Sequence, residues 1–264
     1  MSALSAEDFE SALVQFGLAR MAEIYSLPSG DLVGMAQNKN GALCWARVMV
    51  MPLGFFAGGK WSGEIDAVAL AVPKPVLIQQ ETWTEGDITY RLLCTSLTES
   101  PAVSREPTLG ADAPAVTIKW MADLRSWLER LEAVPTERVA CATNAFLETI
   151  DKTWGLTFPI KRSSTAHGNL HWANVTAPLL SITGWDSWGV APQSYDIGFL
   201  LAQSVLVPRM SLMIEAQFKD RLLTPEGRAS VLYACAVLLQ EPPQMERRDA
   251  LAPALEALAL RYRA

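Results

Sequence analysis

Hydrophobic and polar positions divide the chain into a strand-rich first third and a helix-rich remainder. After an initial helix, apolar residues come in short runs separated by glycine and proline, which is the pattern of strands joined by turns. Beyond about residue 115, apolar residues recur every three or four positions over long stretches, as amphipathic helices require. The pattern predicts a small lobe built around a sheet and a larger helical lobe.

The first lobe is predicted to begin with one long helix. Ser5 and Asp8 have the spacing of a capping box, which satisfies free N–H groups at the start of a helix. The helix is predicted to run to about Ile24, with Phe9 and Leu13 on one face. Residues 32–37 form a short segment between turns, strands are predicted over 42–51, 76–82 and 88–97, and a second helix is predicted over 61–71.

The second lobe is predicted to consist of long helices interrupted by one compact region of loops and strands, over residues 160–194. We place the boundary between the lobes so that the first domain covers 1–98 and the second covers 99–264. The helices are expected over 115–133, 136–154, 195–207, 211–222, 226–240 and 247–262.

Composition and charge exclude several classes of protein. Half of the 264 residues are apolar and 19% are charged, which is the composition of a globular chain. The net charge of -6 argues against nonspecific binding to nucleic acid. No apolar run approaches the roughly 18 residues that span a bilayer, and the N-terminal residues lack the pattern of a secretory signal. We therefore expect a cytoplasmic protein without nucleic-acid or membrane partners.

Both histidines of the chain lie in one short segment, His167-Gly-Asn-Leu-His171-Trp-Ala-Asn174. Their four-residue spacing is compatible with a pair of metal ligands, but no third ligand of matching type stands nearby. In the alternative interpretation, both side chains hold a loop in shape through hydrogen bonds. The residues favour this second interpretation.

The segment from His167 to Leu201 resembles the catalytic loop and metal motif of the aminoglycoside-phosphotransferase-like kinases. That family has the pattern HGDxxxxN, then a strand ending in an Asp-centred metal motif, then an Asp at the start of the next helix. This chain reads HGNLHWAN and later SITGWDSWGVAPQSYDIGFLL, a resemblance over about 35 residues that is closest to actinobacterial members from natural-product pathways. The resemblance implies an α+β, two-lobed protein-kinase-like fold, with the catalytic-loop-like segment at 166–196 and His167 in that loop.

Two positions that the resemblance assigns to catalysis carry other residues. Asn169 stands where the family has its catalytic Asp, and Gly184 stands where it has a metal-binding Asp. Asn174 matches the metal-binding Asn of the family, and Asp186 is the nearby carboxylate that offers a substitute ligand. Because an amide binds Mg²⁺ weakly compared with a carboxylate, weak binding of the metal is expected.

Asp196 and three tryptophans have structural interpretations. Asp196 matches a structural Asp of the family, and we expect it to accept hydrogen bonds from the backbone at 167–169. The alternative is that Asp196 only caps its own helix. For Trp172, Trp185 and Trp188 we expect packing inside the protein rather than a platform on which a ligand stacks.

The phosphate-binding positions of the first lobe are also changed. The family holds nucleotide phosphates with a strand lysine that a helix glutamate orients, but the run Leu43–Val48 contains no lysine. Arg47 is its only cation, Glu64 in the following helix is the predicted partner, and Lys60 is the rival assignment. Residues 28–34 lack the spacing of a phosphate-binding loop and are predicted to form a hairpin turn.

These changes predict a pseudokinase, a noncatalytic member of the family that binds a peptide or protein partner, and the Trp-rich loop is expected to shape that binding surface. The resemblance implies that this role belongs to a pathway that modifies peptide natural products. The alternative is an active phosphotransferase that moves the γ-phosphate of ATP to a hydroxyl of a small molecule or of a peptide Ser or Thr. A structural role without any ligand is the third interpretation. ATP and Mg²⁺ are expected to bind weakly.

Asn169 is either the natural residue or an engineered replacement of Asp that traps a complex. Gly184 and the missing strand lysine favour a natural residue. One engineered substitution would explain only one of these three differences from the family pattern.

Overall fold

The structure is a computed structural model that describes residues 4–27, 29–52, 61–110, 116–240 and 248–263. The chain divides into two compact units. One unit comprises Met1–Val68 and Lys74–Glu99, and the other comprises Ala69–Pro73 and Ser100–Ala264. Among the described residues, no helix combines the length and the hydrophobicity that crossing a membrane requires.

The first unit is a five-stranded antiparallel sheet with helices. The strands stand in the order β1-β2-β3-β5-β4, so each neighbouring pair except β3 and β5 is also consecutive in the chain. The predicted strands are confirmed with small shifts at their ends. The elements are α1 (Ala6–Gln15), β1 (Leu18–Ser26), β2 (Leu32–Asn38), β3 (Leu43–Pro52), α2 (Gly63–Asp66), β4 (Leu77–Glu85) and β5 (Ile88–Ser96).

The first helix has the predicted start but not the predicted end. The Ser5 hydroxyl accepts a hydrogen bond from the Asp8 N–H at 3.2 Å, and the Asp8 carboxylate accepts one from the Ser5 N–H at 2.7 Å, so the capping box is confirmed. The helix ends at Gln15, and the prediction that it continues to Ile24 is wrong. Gly17 has a φ of 76°, a left-handed conformation that terminates helices, and the residues after it pair with β2 instead.

The second predicted helix of this unit is also shorter than expected. Only α2 and one turn of 3-10 helix at Ala67–Ala69 form within 61–71. Residues 53–60, which include Lys60, lie outside the described part of the chain. A hairpin is present, because β1 and β2 pair in antiparallel fashion from Ser26 and Leu32 onward, but 32–34 of the predicted turn 28–34 belong to β2 and residue 28 lies outside the described part of the chain.

The core of the first unit forms between α1 and one face of the sheet. Apolar side chains of the helix pack against alternate residues of the central strands, as the two-residue period of a strand requires. The fully buried members include Phe9, Leu13, Ala36, Ala46, Val48 and Leu92. This face leaves the odd-numbered residues of β3, Arg47 among them, on the other side of the sheet.

The second unit is mostly helical, as predicted. A two-stranded antiparallel sheet of β6 and β7 lies within the region predicted as loop and strand. Together with the sheet of the first unit, this confirms the α+β class. The elements are α3 (Ile118–Glu132), α4 (Thr143–Trp154), β6 (Ser163–Ala166), β7 (Gly189–Pro192), α5 (Tyr195–Ala202), α6 (Pro208–Gln217), α7 (Lys219–Leu222), α8 (Pro225–Gln240) and α9 (Arg248–Tyr262).

Three helices of this unit differ from their predicted bounds. The fourth helix begins at Thr143 rather than at 136, because the backbone at 138–141 pairs with Val190. The Val190 N–H donates to the Arg138 carbonyl at 2.7 Å, and the Ala140 N–H donates to the Val190 carbonyl at 2.9 Å. In addition, α5 ends at Ala202 rather than at 207, and the helix predicted over 211–222 is two helices, α6 and α7.

Candidate functional site

The segment that carries the resemblance is a loop between β6 and β7. Residues 167–171 are irregular, and Trp172–Asn174 form one turn of 3-10 helix. The segment is therefore not part of a continuous helix. A continuous helix here would have contradicted the resemblance to a kinase-like catalytic loop. Its shape depends on contacts with α5 and with residues 183–190.

Asp196 binds the backbone at the start of this loop. One carboxylate oxygen accepts the His167 N–H at 2.6 Å, and the other accepts the Gly168 N–H at 3.0 Å. The helix α5 that carries Asp196 approaches α8 closely at Gly198, where a Cβ atom would lie 2.5 Å from the Ser230 backbone. The contact that the sequence predicts for Asp196 is thus present, and it is not a contact with the N–H groups of its own helix.

Burial determines the charge state of Asp196. Only 6% of the residue is exposed, and burial raises the pKa of its carboxyl to about 6, although the two N–H groups act in the opposite direction. Near neutral pH the carboxylate is therefore ionised and able to accept both hydrogen bonds. Charge-assisted bonds of this kind are among the stronger ones in proteins.

His167 connects the loop to the segment that follows it. Its ring is fully buried, lies edge-on to Trp185 with the ring centroids 4.5 Å apart, and has Nε2 at 3.0 Å from the Thr183 carbonyl oxygen. Burial, followed by the nearby His171, lowers the pKa of His167 to about 3. The imidazole is therefore neutral, and its Nε2–H donates to Thr183.

Asn174 and His171 complete the hydrogen bonding inside the loop. The Asn174 Nδ2 group donates to the Asn169 carbonyl and to His171 Nε2, both at 3.0 Å. Burial lowers the pKa of His171 to about 4, so its ring is neutral and its Nε2 lone pair is used by Asn174. These contacts agree with the interpretation in which the histidines hold the loop by hydrogen bonds.

Gly184 lies directly against Asn174. A Cβ atom at position 184 would stand 2.7 Å from Asn174 Nδ2, and the Thr183 N–H donates to the Asn174 carbonyl at 2.9 Å. Gly184 also has a φ of 76°, which residues with a side chain rarely adopt. The two positions that the resemblance assigns to a metal are therefore neighbours, but one of them has no side chain and little room for one.

Positions 174 and 184 together supply only one side-chain oxygen ligand for magnesium, the amide oxygen of Asn174. Mg²⁺ needs oxygen ligands, at least one of them usually a carboxylate, in near-octahedral geometry. Gly184 offers no side chain, and the Asn174 amide oxygen carries no formal charge. Within the described part of the chain, no three His, Cys, Asp or Glu side chains come together as a metal-binding group. The role of Asp186 as a substitute ligand stays a prediction.

Arg138 fixes the segment that contains Asp186, a contact that the sequence analysis missed. Its Nη2 donates to the Asp186 carbonyl at 3.2 Å and its Nε to the Trp188 carbonyl at 3.1 Å, while the guanidinium lies 4.9 Å from the Trp188 ring. Nothing in the sequence indicates this pairing, because Arg138 stands about 50 residues away in the chain.

Close backbone packing adds to the rigidity of this region. A Cβ atom on Gly168 would lie 2.3 Å from the Ser187 carbonyl oxygen and 2.9 Å from the Ala140 side chain. The loop, the segment at 186–188 and the strand-like residues before α4 are thus packed at a distance that only glycine allows.

The three tryptophans of the region lie inside the unit. Their exposed fractions are 0% for Trp172, 1% for Trp185 and 6% for Trp188. Trp172 donates to the Ser204 hydroxyl at 2.9 Å and Trp185 to the Ile182 carbonyl at 2.8 Å. The prediction that they pack inside the protein is confirmed, and the expectation that the Trp-rich loop shapes a surface for a peptide stays a prediction.

Arg47, the predicted phosphate-binding residue of the first unit, has a partner that the sequence did not suggest. Arg47 Nε and Nη2 both bind Asp31 Oδ2, at 2.9 and 2.5 Å, and the two side chains are 15% and 8% exposed. Asp31 directly precedes β2, next to the strand that carries Arg47. Burial lowers the pKa of Lys74, and the charge of Glu64 in α2 acts in the opposite direction. The pairing of Arg47 with Glu64 stays a prediction.

Comparison with known proteins identifies the fold. No family model matches the sequence, and no curated protein matches it either. Among solved structures, aminoglycoside phosphotransferase APH(4)-Ia aligns over 98% of this chain and all of its own, with 12% identity and a TM-score of 0.65. A thermostable mutant of that enzyme, in a ternary complex with AMP-PNP and hygromycin B, aligns over 98% of this chain and 99% of its own, with 14% identity and a TM-score of 0.63.

A second class of enzyme shares the fold. Macrolide 2'-phosphotransferase MphH from Brachybacterium faecium aligns over 94% of this chain and 98% of its own, with 13% identity and a TM-score of 0.58. The chain thus has the protein-kinase-like fold of antibiotic phosphotransferases along nearly its whole length. At these identities the likeness establishes the fold.

Proposed function

We propose that this chain is a pseudokinase of the aminoglycoside-phosphotransferase-like family, which binds a partner rather than transferring phosphate at a useful rate. One observation carries the proposal. Gly184, at the metal-binding position, lies so close to Asn174 that a carboxylate does not fit between them without movement.

The second missing group is the base. Phosphoryl transfer to a hydroxyl needs a residue that orients the hydroxyl and accepts its proton. Asn169 carries no charge and is a very weak base. His171 does not replace it, because its Nε2 lone pair already accepts a hydrogen bond from Asn174 at 3.0 Å.

The scaffold of the loop is nevertheless complete. Asp196 anchors its first residues, His167 joins it to Thr183, and Arg138 holds the segment after it. A chain that needs no turnover still needs this rigidity if the loop region supports recognition. We therefore assign the region a role in shape rather than in chemistry.

The proposed partner is a peptide or protein, in a pathway that modifies peptide natural products. This part of the proposal depends on the amino-acid sequence of the catalytic-loop segment, which resembles that of family members from such pathways. Because the tryptophans are buried, their side chains do not themselves form the partner surface. A cytoplasmic location accompanies this role.

The alternative is an active phosphotransferase that uses Asp186 as its metal ligand and Arg47 as its phosphate-binding cation. The solved neighbour that binds AMP-PNP and hygromycin B favours this alternative, since it shows a nucleotide in the same fold. Loss of a positioned base alone costs about 10²–10⁴-fold in rate, so a slow enzyme would survive that loss.

Nucleotide binding with and without magnesium separates the two functions. Calorimetric titration of the full chain with ATP, in EDTA and in excess Mg²⁺, is expected to give weak binding that magnesium leaves nearly unchanged. The variant Asn174→Ala serves as a control and is expected to bind ATP as the wild type does. Tight binding that requires Mg²⁺ and is lost in Asn174→Ala would instead support the active enzyme.

A further inference from the structure

The strand β4 is the last strand at one edge of the five-stranded sheet, and within the described part of the chain it pairs with β5 alone. Glu85 and Ile88 flank a two-residue turn and therefore exchange backbone hydrogen bonds with each other. Hydrogen-bonded pairs alternate along an antiparallel ladder, so the odd-numbered residues from 79 to 85 bind β5. The backbone N–H and C=O groups of Gln80, Thr82 and Thr84 consequently point outward, away from β5.

The strand β4 itself lacks the features of sequence and register that protect an edge strand. Protected edges usually carry lysine, proline or an irregular register, each of which hinders pairing with another chain. The opposite edge strand, β1, has an irregular register between Arg20 and Ile24. In β4 the register is regular from Gln79 to Glu85, and its sequence LIQQETWTE contains neither lysine nor proline. This strand therefore has the backbone geometry that an added strand requires.

The side of β4 that faces α1 carries two carboxylates around an aromatic ring. Glu81, Trp83 and Glu85 are two residues apart and so share one side of the strand. The Trp83 ring centroid lies 5.1 Å from that of Phe16 and 5.3 Å from that of Tyr90, and the Trp83 Nε1 donates to the Glu85 carboxylate at 3.1 Å. Burial raises the pKa of Tyr90, and the negative charge of Glu85 raises it further. This side of the strand is thus both aromatic and negatively charged.

The chemistry of β4 selects the segment that would add to it. Residues directly opposite each other in an antiparallel pair lie on the same side, so every second side chain of an added segment lies against Glu81, Trp83 and Glu85. Lysine or arginine at those positions pairs with the carboxylates and lies over the indole ring. A second copy of β4 is a poorer occupant, because it brings the glutamates of two chains together, and like charges on facing strands destabilise the pair.

We propose that the outer edge of β4 is the surface that binds the partner, and that the partner contributes an extended segment with lysine or arginine at every second position. The segment adds to the sheet as a further antiparallel strand. Its backbone binds the outward N–H and C=O groups of Gln80, Thr82 and Thr84, and its basic side chains lie against Glu81 and Glu85. The inference deepens the proposed function, on which it rests, because it names the chemistry of the partner that a noncatalytic binding module takes.

Calorimetric titration of the full chain with synthetic peptides tests the proposal. The probe is a peptide of alternating threonine and lysine with nine residues, the length of β4. It is expected to bind saturably, at least about tenfold more tightly than a peptide with glutamate at the lysine positions. In the proposed pairing the threonines form the backbone hydrogen bonds, so a peptide N-methylated at the threonines is expected not to bind. Equal binding of the methylated peptide would show charge attraction alone and overturn the proposal.

Variants of Gln80 test the same contact from the side of the protein. Gln80→Pro removes one outward N–H and leaves the hydrogen bonds between β4 and β5 in place, since proline is tolerated at such edge positions. It is expected to bind the lysine peptide at least about fivefold more weakly than the wild type. The matched control Gln80→Ala loses the same side chain, keeps the N–H and is expected to bind as the wild type does. Equal affinities of the two variants would overturn the proposal.

Reversal of charge tests the basic character of the partner. The double variant Glu81→Lys, Glu85→Lys is expected to prefer the glutamate peptide over the lysine peptide. An unchanged preference for the lysine peptide overturns the proposal. Sedimentation of the wild type tests the other occupant, because a dimer that Gln80→Pro dissociates would assign the edge to a second copy of the chain and overturn the proposal as well.

The outcomes for this edge and for the proposed function are distinguishable. If Gln80→Pro does not fold, the comparison of the methylated with the unmodified lysine peptide decides. Failure of the lysine peptide to bind, beside weak ATP binding that magnesium leaves unchanged, overturns this inference and leaves the pseudokinase proposal intact. Tight, magnesium-dependent ATP binding by the wild type overturns the pseudokinase proposal instead.

Discussion

Asp196 gives both of its carboxylate oxygens to backbone N–H groups at the start of the loop. The sequence predicts this contact because the motif places an Asp at the first turn of the helix after the loop. It does not predict Asp31 or Arg138, whose partners stand 16 and about 50 residues away. Such contacts depend on the packing of separate elements, and no local pattern records them.

The first prediction concerns the variant Asp196→Ala. Removal of the carboxylate leaves the His167 and Gly168 N–H groups without their acceptor in a buried place, and the expected loss of stability is about 1–3 kcal/mol. Chemical denaturation of both proteins measures it. The control is Asp123→Ala, which removes an exposed carboxylate paired with Lys119 and is expected to change stability by less than about 0.5 kcal/mol. A melting temperature equal to that of the wild type would contradict the anchoring role.

The second prediction concerns how the stability of the protein changes as the pH falls. The pKa of His171 falls from 6.5 to about 4 on folding, so the unfolded chain binds a proton more readily than the folded one in that window. Its contribution to stability is complete above pH 6.5 and is lost as the pH falls toward 4, by up to about 1.4 kcal/mol per pH unit. We expect His171→Gln to lose about 1.5 kcal/mol less than the wild type between pH 6.5 and 5.

Urea denaturation at the two pH values measures this difference. Asp196 has the opposite sign, because its raised pKa makes ionisation unfavourable in the folded state, and stability falls as the pH rises from about 4 to 6. The comparison of His171→Gln with the wild type cancels that contribution. An identical pH dependence in both proteins would show that His171 is not buried in its neutral form.

At the scale of elements, the largest error of the sequence analysis is the first helix. Spacing alone does not separate a helix from a strand over a short apolar stretch. The deciding features are the left-handed Gly17 and the presence of β2 as a pairing partner, and the second of these is nonlocal. The helices of the second unit are predicted better, because their apolar period continues over three or more turns. The late start of α4 again reflects a tertiary contact, with Val190.

The third prediction concerns how the segment at 186–188 is held against the residues before α4. Arg138 donates to two carbonyl groups of that segment and stacks on Trp188. We expect Arg138→Ala to lower stability by about 1–3 kcal/mol, through lost charge-assisted bonds and lost stacking. The control is Arg130→Ala, which removes an arginine stacked on Trp127 at an exposed position of α3 and is expected to have little effect. Equal losses in the two variants would argue against a specific clamp.

At the scale of the whole molecule, the fold does not determine whether the chain catalyses a reaction. The chain aligns with an aminoglycoside phosphotransferase over 98% of its length at 12% identity, so its architecture persists with few shared residues. The sequence predicts that fold from a motif of about 35 residues and from the order of strands and helices. Function depends on individual groups, and the same fold is compatible with an enzyme and with a binding module.

The last prediction tests whether catalysis can be restored. Efficient phosphoryl transfer depends on positioning and on neutralisation of charge by magnesium, so one added base does not suffice. We expect Asn169→Asp to remain far below the roughly 1–100 s⁻¹ of active kinases, with Asn169→Ala as its control. Gly184→Asp alone is expected to be less stable than the wild type, because of its φ of 76° and the contact with Asn174.

Only the double variant Asn169→Asp, Gly184→Asp supplies both missing carboxylates, and we expect it to show more magnesium-dependent ATP turnover than either single variant. The gain requires the Asn174 amide to turn away from position 184, where its Nδ2 would stand 2.7 Å from the new Cβ. The measurement is ATP consumption with candidate hydroxyl substrates, at equal concentrations of folded protein. Magnesium-dependent turnover by the wild type near about 1 s⁻¹ or faster would refute the pseudokinase proposal. Fast turnover by Asn169→Asp alone would instead show that Gly184 does not prevent catalysis and that Asn169 is the single inactivating residue.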